Sequence, residues 1–93
     1  MTLSKKRSRR ILINEETFRW GISPDSGYMV FVAEHEFIQG RKLEVYVENM
    51  TMKIIQPRHV RRFIVQAIEA GWEYKLAGKP TVFDLKNDRI IVR

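Results

Sequence analysis

The chain has 93 residues, of which 44% are hydrophobic, contains no cysteine and carries a formal net charge of +6. A chain of this length supports one hydrophobic core and therefore one domain. Without cysteine, disulfides and thiolate metal sites are excluded, and because small secreted domains usually need such cross-links we expect a cytoplasmic protein. The longest apolar run, residues 29–33, is too short to cross a bilayer, so we expect no membrane partner.

The positive charge is concentrated near the N-terminus. Five cations lie within residues 5–10 and leave about +1 for the rest of the chain: Lys5, Lys6, Arg7, Arg9 and Arg10. This distribution predicts a flexible basic arm over residues 1–9 and a single domain over residues 10–93. The spacing of the cations fits non-specific contact with phosphates. The alternative is a tail that only keeps the protein in solution.

Two β-rich runs open the predicted domain, at residues 10–13 and 17–22. Asn14 between them tolerates a positive φ, which favours a tight hairpin. Alternation along the second run places Arg19 on one face and three apolar side chains on the other: Phe18, Trp20 and Ile22. Residues 23–27 then contain Pro and Gly at spacings typical of a turn.

Two further strands are predicted before the helix. Residues 28–34 are nearly all apolar, which predicts a central strand buried on both faces, and residues 35–40 form the next turn. Residues 41–48 alternate, and three apolar side chains face the core: Leu43, Val45 and Val47. Residues 50–55 extend this region as a possible short strand.

One helix is predicted over about residues 57–70. Pro57 suits the first helical position, and Gly71 suits the cap that follows the last turn. Between them one apolar stripe has helical spacing: Val60, Phe63, Ile64, Ala67 and Ile68. We expect Trp72 to fold back on the helix end, followed by a hairpin of residues 81–85 and 89–92. The order β-β-β-β-(β)-α-β-β predicts an α+β fold, an antiparallel sheet with the helix on one face.

The titratable residues form no catalytic signature. No serine stands in a nucleophile-elbow pattern, and no glycine-rich phosphate loop is present. The one compact cluster is Glu34-His35-Glu36, where strand alternation would set His35 opposite the two carboxylates. A solvated turn explains this cluster best, because a divalent metal would need further ligands. His59 has no recognisable partner in the sequence. From the absence of all these patterns together, we expect no catalysis, no cofactor and no metal.

The start of the helix is basic. Cations near a helix N-terminus oppose the helix dipole by about 0.3–1 kcal/mol each, and the first turns hold no acidic residue to offset them. These cations can be explained in two ways. Either an anion or an acidic partner surface binds to them, or they pair with a glutamate of the same chain, namely Glu44, Glu48 or Glu73. Both stay open for the three cations that point away from the apolar stripe: Arg58, Arg61 and Arg62.

The outer face of the sheet carries a weaker signal. Alternation places Tyr46 and Arg19 there, and an aromatic face with cations can stack nucleobases. Two side chains are too few to establish such a face.

The chain resembles small bacterial proteins of about this length. The resemblance lies in F-R-W at residues 18–20, P-x-x-V-R-R at 57–62 and A-G-W at 70–72, and it extends over about residues 10–85. It implies a bacterial, cytoplasmic origin and a shared fold. The resemblance implies no activity, no cofactor and no site residue.

These observations favour a small non-catalytic binding module that recognises a protein partner, of an accessory or immunity type. The antiparallel sheet has edge strands that can accept a partner strand, including that of a second copy in an edge-strand homodimer. The alternative is an accessory protein that binds nucleic acid through the basic arm and the basic start of the helix.

Overall fold

A computed structural model describes residues 8–25, 27–48, 55–86 and 89–92, with the side chain of residue 25 left aside. Six strands and one helix occupy this part of the chain: β1 (Arg9–Ile13), β2 (Glu16–Asp25), β3 (Tyr28–His35), β4 (Leu43–Glu48), α1 (Pro57–Glu69), β5 (Thr81–Lys86) and β6 (Arg89–Val92). The strands form one sheet in the order β1-β2-β3-β4-β5-β6. The predicted α+β class and its single helix are confirmed. The strand predicted at 50–55 lies outside the described residues except for Ile55, which is in no strand.

The sheet is antiparallel except at one pair. β4 and β5 run parallel, with Leu43 opposite Thr81 and Val45 opposite Phe83, whereas the other four neighbouring pairs are antiparallel. The parallel pair follows from the connection, because α1 carries the chain back along the sheet so that β5 begins beside the start of β4. The sequence-based prediction of antiparallel neighbours differs from the structure at this pair.

The first hairpin turns in two residues. Asn14 and Glu15 have φ of 49° and 67°, and Ile13 pairs with Glu16 across the turn. Positive φ at both central positions is the type I′ geometry, whose twist matches that of the flanking strands. The predicted tight hairpin is confirmed.

β2 is longer than the sequence predicted. It continues through Pro24 to residue 25, which pairs with Tyr28, and Gly27 before the next strand has a φ of 88°. Proline is tolerated here because alternate residues of β2 bond to β1 and to β3, and the Pro24 nitrogen points to the β1 side. β1 ends opposite Trp20, so no ladder hydrogen bond is lost.

The core lies between α1 and the concave face of the sheet. The buried helix residues are Val60, Phe63, Ile64 and Ala67, and the ring of Phe63 meets that of Phe31 edge-on at 5.4 Å. The predicted inward side chains of β4 are all fully buried, and so are the four consecutive apolar residues of β3 that start at Val30. Ile22 is 40% exposed, because β2 runs past the end of β1 there.

The end of α1 is fixed by backbone hydrogen bonds. Gly71 has a φ of 103°, and the N–H groups of Trp72 and Gly71 donate to the carbonyls of Ala67 and Ile68 at 2.9 and 3.1 Å. This pair of bonds is the Schellman motif. The indole of Trp72 folds back, is 2% exposed, and donates from Nε1 to the carbonyl of Arg41 at 2.9 Å. The predicted return of Trp72 to the helix end is confirmed.

Candidate functional site

A polar cluster lies where β2 begins and β3 ends. Nε2 of His35 is 2.5 Å from Oε2 of Glu16, and Nζ of Lys75 is 2.9 Å from Oε1 of the same carboxylate. The ring of Tyr74 lies parallel to that of His35, with a centroid separation of 5.8 Å. This cluster, which we call the sheet-end cluster, joins two strands to the segment that follows α1.

Close backbone packing brings that segment to the sheet. The N–H of Arg41 donates to the carbonyl of Leu76 at 2.8 Å. A Cβ at Gly40 would lie 1.8 Å from the carbonyl oxygen of Tyr74, so only glycine fits without a backbone shift. Gly40 therefore allows Tyr74 and Lys75 to reach the sheet-end cluster.

Both ring nitrogens of His35 are occupied. Nδ1 accepts from the backbone N–H groups of Phe37 and Ile38 at 3.1 and 3.2 Å, so the proton of the neutral ring lies on Nε2 and is donated to Glu16. A general base needs a free lone pair within reach of a substrate proton. His35 has no free lone pair in this arrangement and is only 7% exposed. Its hydrogen bonds to the backbone of Phe37 and Ile38 instead fix the turn after β3.

Ionic partners change the titration of this cluster. Hydrogen bonds from Lys75 and then from His35 hold the pKa of the Glu16 carboxyl below its ordinary value. The same contact raises the pKa of the Lys75 ammonium. Glu16 is therefore a carboxylate that stabilises the fold at neutral pH.

Glu36 forms a second ionic cluster, on the outer face of the sheet. Nε of Arg19 is 2.6 Å from Oε2 of Glu36, and Nη2 of Arg10 is 3.4 Å from Oε1. The Arg19–Glu36 contact is an ion pair rather than a well-directed hydrogen bond, since Oε2 has no hydrogen-bond partner of suitable angle in the described structure. Nη1 of Arg19 donates to Oγ of Ser8 at 2.9 Å.

The predicted solvated turn at Glu34-His35-Glu36 is wrong. His35 is buried, and the side chain of Glu36 is 8% exposed. The pairing of β2 with β3 continues further than predicted, because the N–H of Glu36 donates to the carbonyl of Thr17 at 2.9 Å. The predicted alternation is correct, since His35 faces the core side with Phe18 and Glu36 pairs with Arg19 on the other face.

The basic N-terminal residues divide into two sets. Arg9 and Arg10 belong to β1, so the sheet begins one residue before the predicted domain boundary. The guanidinium of Arg9 lies 5.8 Å from the ring centroid of Trp20, and that of Arg10 pairs with Glu36. Lys5, Lys6 and Arg7 lie outside the described residues.

The predicted basic face at the start of α1 is exposed. Arg58, Arg61 and Arg62 all point away from the buried stripe, and the first turn holds no acidic residue. Within the described ranges, Arg58 and Arg61 form no ion pair, so the predicted pairing with Glu44, Glu48 or Glu73 is not seen for these two.

His59 has a local structural contact. Its Nδ1 accepts from the backbone N–H of Gln56 at 2.9 Å, a bond from the third helical position back to the cap residue. This bond satisfies a donor that the helix leaves unpaired at its start.

The outer face of the sheet does not resemble a nucleobase platform. Tyr46 meets Tyr28 edge-on at 5.8 Å, and the two rings line a cavity of about 150 Å³ together with Glu48 and Asp84. Lys86 lines the same cavity, so two carboxylates and one cation lie beside the rings. Arg19, the predicted cationic member of this face, is committed to Glu36.

One edge of the sheet is partly occupied by the helix. In the β5–β6 hairpin Lys86 and Arg89 form the hydrogen-bonded pair next to the connection. Bonded and non-bonded pairs alternate along an antiparallel ladder, so the N–H of Ile90 points away from β5. Oε1 of Gln66 on α1 accepts this N–H at 2.9 Å. β6 therefore has one outward donor satisfied, whereas the outward N–H of Val92 at the end of the strand has no partner among the described residues.

The other edge is open over the described residues. The hairpin makes Ile13 and Glu16 a bonded pair, so the N–H and C=O groups of Arg10 and Leu12 point away from β2. No described residue hydrogen-bonds these groups. Leu12 is also 63% exposed on the outer face. We call this row of groups the β1 edge.

Comparison with known proteins leaves the function to be argued from this geometry. No family model, no curated protein and no solved structure matches the chain. Among the described residues, no group of three or more acidic or histidine side chains could hold a metal ion. No helix of the described ranges is long and apolar enough to span a membrane.

The buried ion pair predicts unequal effects of two arginine substitutions. Arg19→Met should lower the free energy of unfolding by about 3 kcal/mol, because it leaves the buried carboxylate of Glu36 with one weak partner. Arg10→Met should cost less than about 1 kcal/mol, since Arg10 is 65% exposed. Urea unfolding of both variants measures the difference. Arg19→Met combined with Glu36→Leu should recover most of the loss, and equal losses for the two single variants would contradict the assignment.

The lowered pKa of Glu16 predicts a pH-dependent contribution to stability. A carboxyl whose pKa is lower in the folded state than in the unfolded state stabilises the fold at pH values above its ordinary pKa of 4.5. This stabilisation is lost as the pH falls through the folded-state pKa. Glu16→Gln should therefore lower the melting temperature near neutral pH, and the difference from the parent should vanish in acid. Thermal unfolding from neutral to acidic pH measures this. Glu15→Gln, in the exposed hairpin, is the matched control, because Glu15 forms no ion pair within the described ranges, and it should leave the melting temperature near neutral pH unchanged.

Proposed function

We propose that the protein is a non-catalytic binding module that accepts a strand of a protein partner at the β1 edge. The observation that carries the proposal is the contrast between the two edges. The outward N–H of Ile90 on β6 is bonded to Gln66, whereas the outward groups of Arg10 and Leu12 on β1 have no partner among the described residues.

Strand addition fits the chemistry of this edge. Main-chain hydrogen bonds supply affinity in such complexes, and side chains at alternate positions supply specificity. Arg10 and Leu12 are the alternate positions on the outer face, and both side chains are exposed. An unpaired row of backbone groups with an exposed leucine is a common site for strand pairing.

The polar clusters support a binding role over catalysis. His35 has no free lone pair, and Glu16 and Glu36 are held by cations. The imidazole and both carboxylates are therefore engaged in contacts within the fold. The proposed module therefore acts through its backbone edge and its surface side chains.

A proline substitution tests this proposal. The N–H of Leu12 makes no bond to β2, so Leu12→Pro removes an outward donor with little cost to the hairpin. We expect it to weaken partner binding at least tenfold, measured by calorimetry with a stoichiometric protein captured from an extract of the source organism. Leu12→Ala keeps the N–H and should weaken binding less. Equal binding by the parent and by a folded Leu12→Pro variant would contradict the β1 edge as the site.

A second function, binding of nucleic acid, is favoured by one specific observation. Arg58 and Arg61 are exposed near the start of α1 and form no ion pair within the described ranges. Backbone phosphates would relieve the repulsion between these cations and the helix dipole. Beyond residue 10 the chain, these arginines included, carries a net charge of only about +1, so we rank this function second.

Salt dependence distinguishes the second function from the first. Each phosphate contact on duplex DNA adds about 0.9 to the slope of log affinity against log salt. Arg58→Gln combined with Arg61→Gln should therefore reduce the slope by about 1.8 if both arginines contact phosphate. Fluorescence titration with duplex DNA and single-stranded RNA at two salt concentrations measures it. Binding weaker than about 100 μM at low salt would exclude this function.

A further inference from the structure

We propose that the strand accepted by the β1 edge is β1 of a second copy, paired antiparallel about a two-fold axis at Ile11. The inference rests on the proposed function, because it uses the same edge. A two-fold interface is self-complementary: if residue i of one copy contacts residue j of the other, then residue j of the first copy contacts residue i of the second. β1 can pair with itself in more than one such register, and charge and strand length favour one of them.

Three two-fold registers place the outward groups of the two strands opposite each other. A register centred on Arg10 sets two guanidinium groups directly opposite, and like charges in that position are destabilising. A register centred on Leu12 pairs only three residues of each strand before the hairpin turn begins at Asn14. The register centred on Ile11 pairs all five residues of β1.

The favoured register also matches the side chains. It sets Arg10 opposite Leu12 of the second copy, so the aliphatic stem of the arginine covers an exposed leucine. It sets Arg9 opposite Ile13, next to the turn that carries the exposed Glu15. The basic start of each strand therefore lies beside the acidic turn of the other copy. Charge complementarity and pairing length together favour a second copy as the occupant.

The absence of cysteine permits a register-specific test. In the favoured register residues 10 and 12 form a bonded pair with a Cα separation of about 5.5 Å, within the disulfide range of about 4.4–6.8 Å. An oxidised mixture of Arg10→Cys and Leu12→Cys chains should cross-link as the mixed dimer at least tenfold faster than either variant alone. A mass tag on one variant identifies the product. Both positions are exposed, so the variants should fold, which urea unfolding checks.

Each outcome decides the inference. A dimer in sedimentation analysis at about 100 μM chain, a concentration that populates a micromolar complex, together with the mixed disulfide would support it. A monomer at that concentration, or faster cross-linking of Leu12→Cys chains with each other, would overturn the dimer or its register. A monomer that still captures a different protein through Leu12 would overturn this inference and leave the proposed function standing. A chain that neither dimerises nor captures another protein through Leu12 would overturn both this inference and the proposed function.

Discussion

The apolar stripe of α1 packs into the concave face of the sheet, and this contact determines which surfaces of the protein are available. Phe63 meets Phe31 of the central strand, and the helix also approaches both edge strands, so the sheet curls around it. The curl brings Gln66 to the backbone of Ile90 and occupies that outward donor of the β6 edge. The same packing leaves the backbone of β1 open at Arg10 and Leu12. The open β1 edge is thus a consequence of where the helix lies.

The first hairpin determines which groups β1 presents. Positive φ at Asn14 and Glu15 makes a two-residue turn, which fixes Ile13 opposite Glu16. A slip of one residue would move every side chain of β1 to the other face of the sheet. With the observed register the apolar residues of β2 enter the core, and Arg19 faces outward to Glu36.

Features that depend on local chemistry could be predicted from the sequence. The helical spacing of the α1 stripe, the alternation of β4 and the hairpin at Asn14 each reflect the period or the φ preference of a few neighbouring residues. The buried polar contacts depend instead on residues far apart in the chain. Glu16 and His35 are separated by 19 positions, and Gln66 and Ile90 by 24, so no local pattern predicts them. The parallel β4–β5 pair likewise depends on the path of the chain through α1.

Amide hydrogen exchange measured residue by residue tests the central claim, that the backbone of β1 is open at Arg10 and Leu12 whereas the outward amide of Ile90 on β6 is bonded to α1. Exchange reports the opening of individual backbone hydrogen bonds. In a sample dilute enough to be monomeric, the account predicts slow exchange at Ile90 and fast exchange at Arg10 and Leu12. Gln66→Ala should make the Ile90 amide fast without affecting those of β1. Strong protection of the Leu12 amide in the monomer, or an unprotected Ile90 amide in the parent chain, would contradict the account.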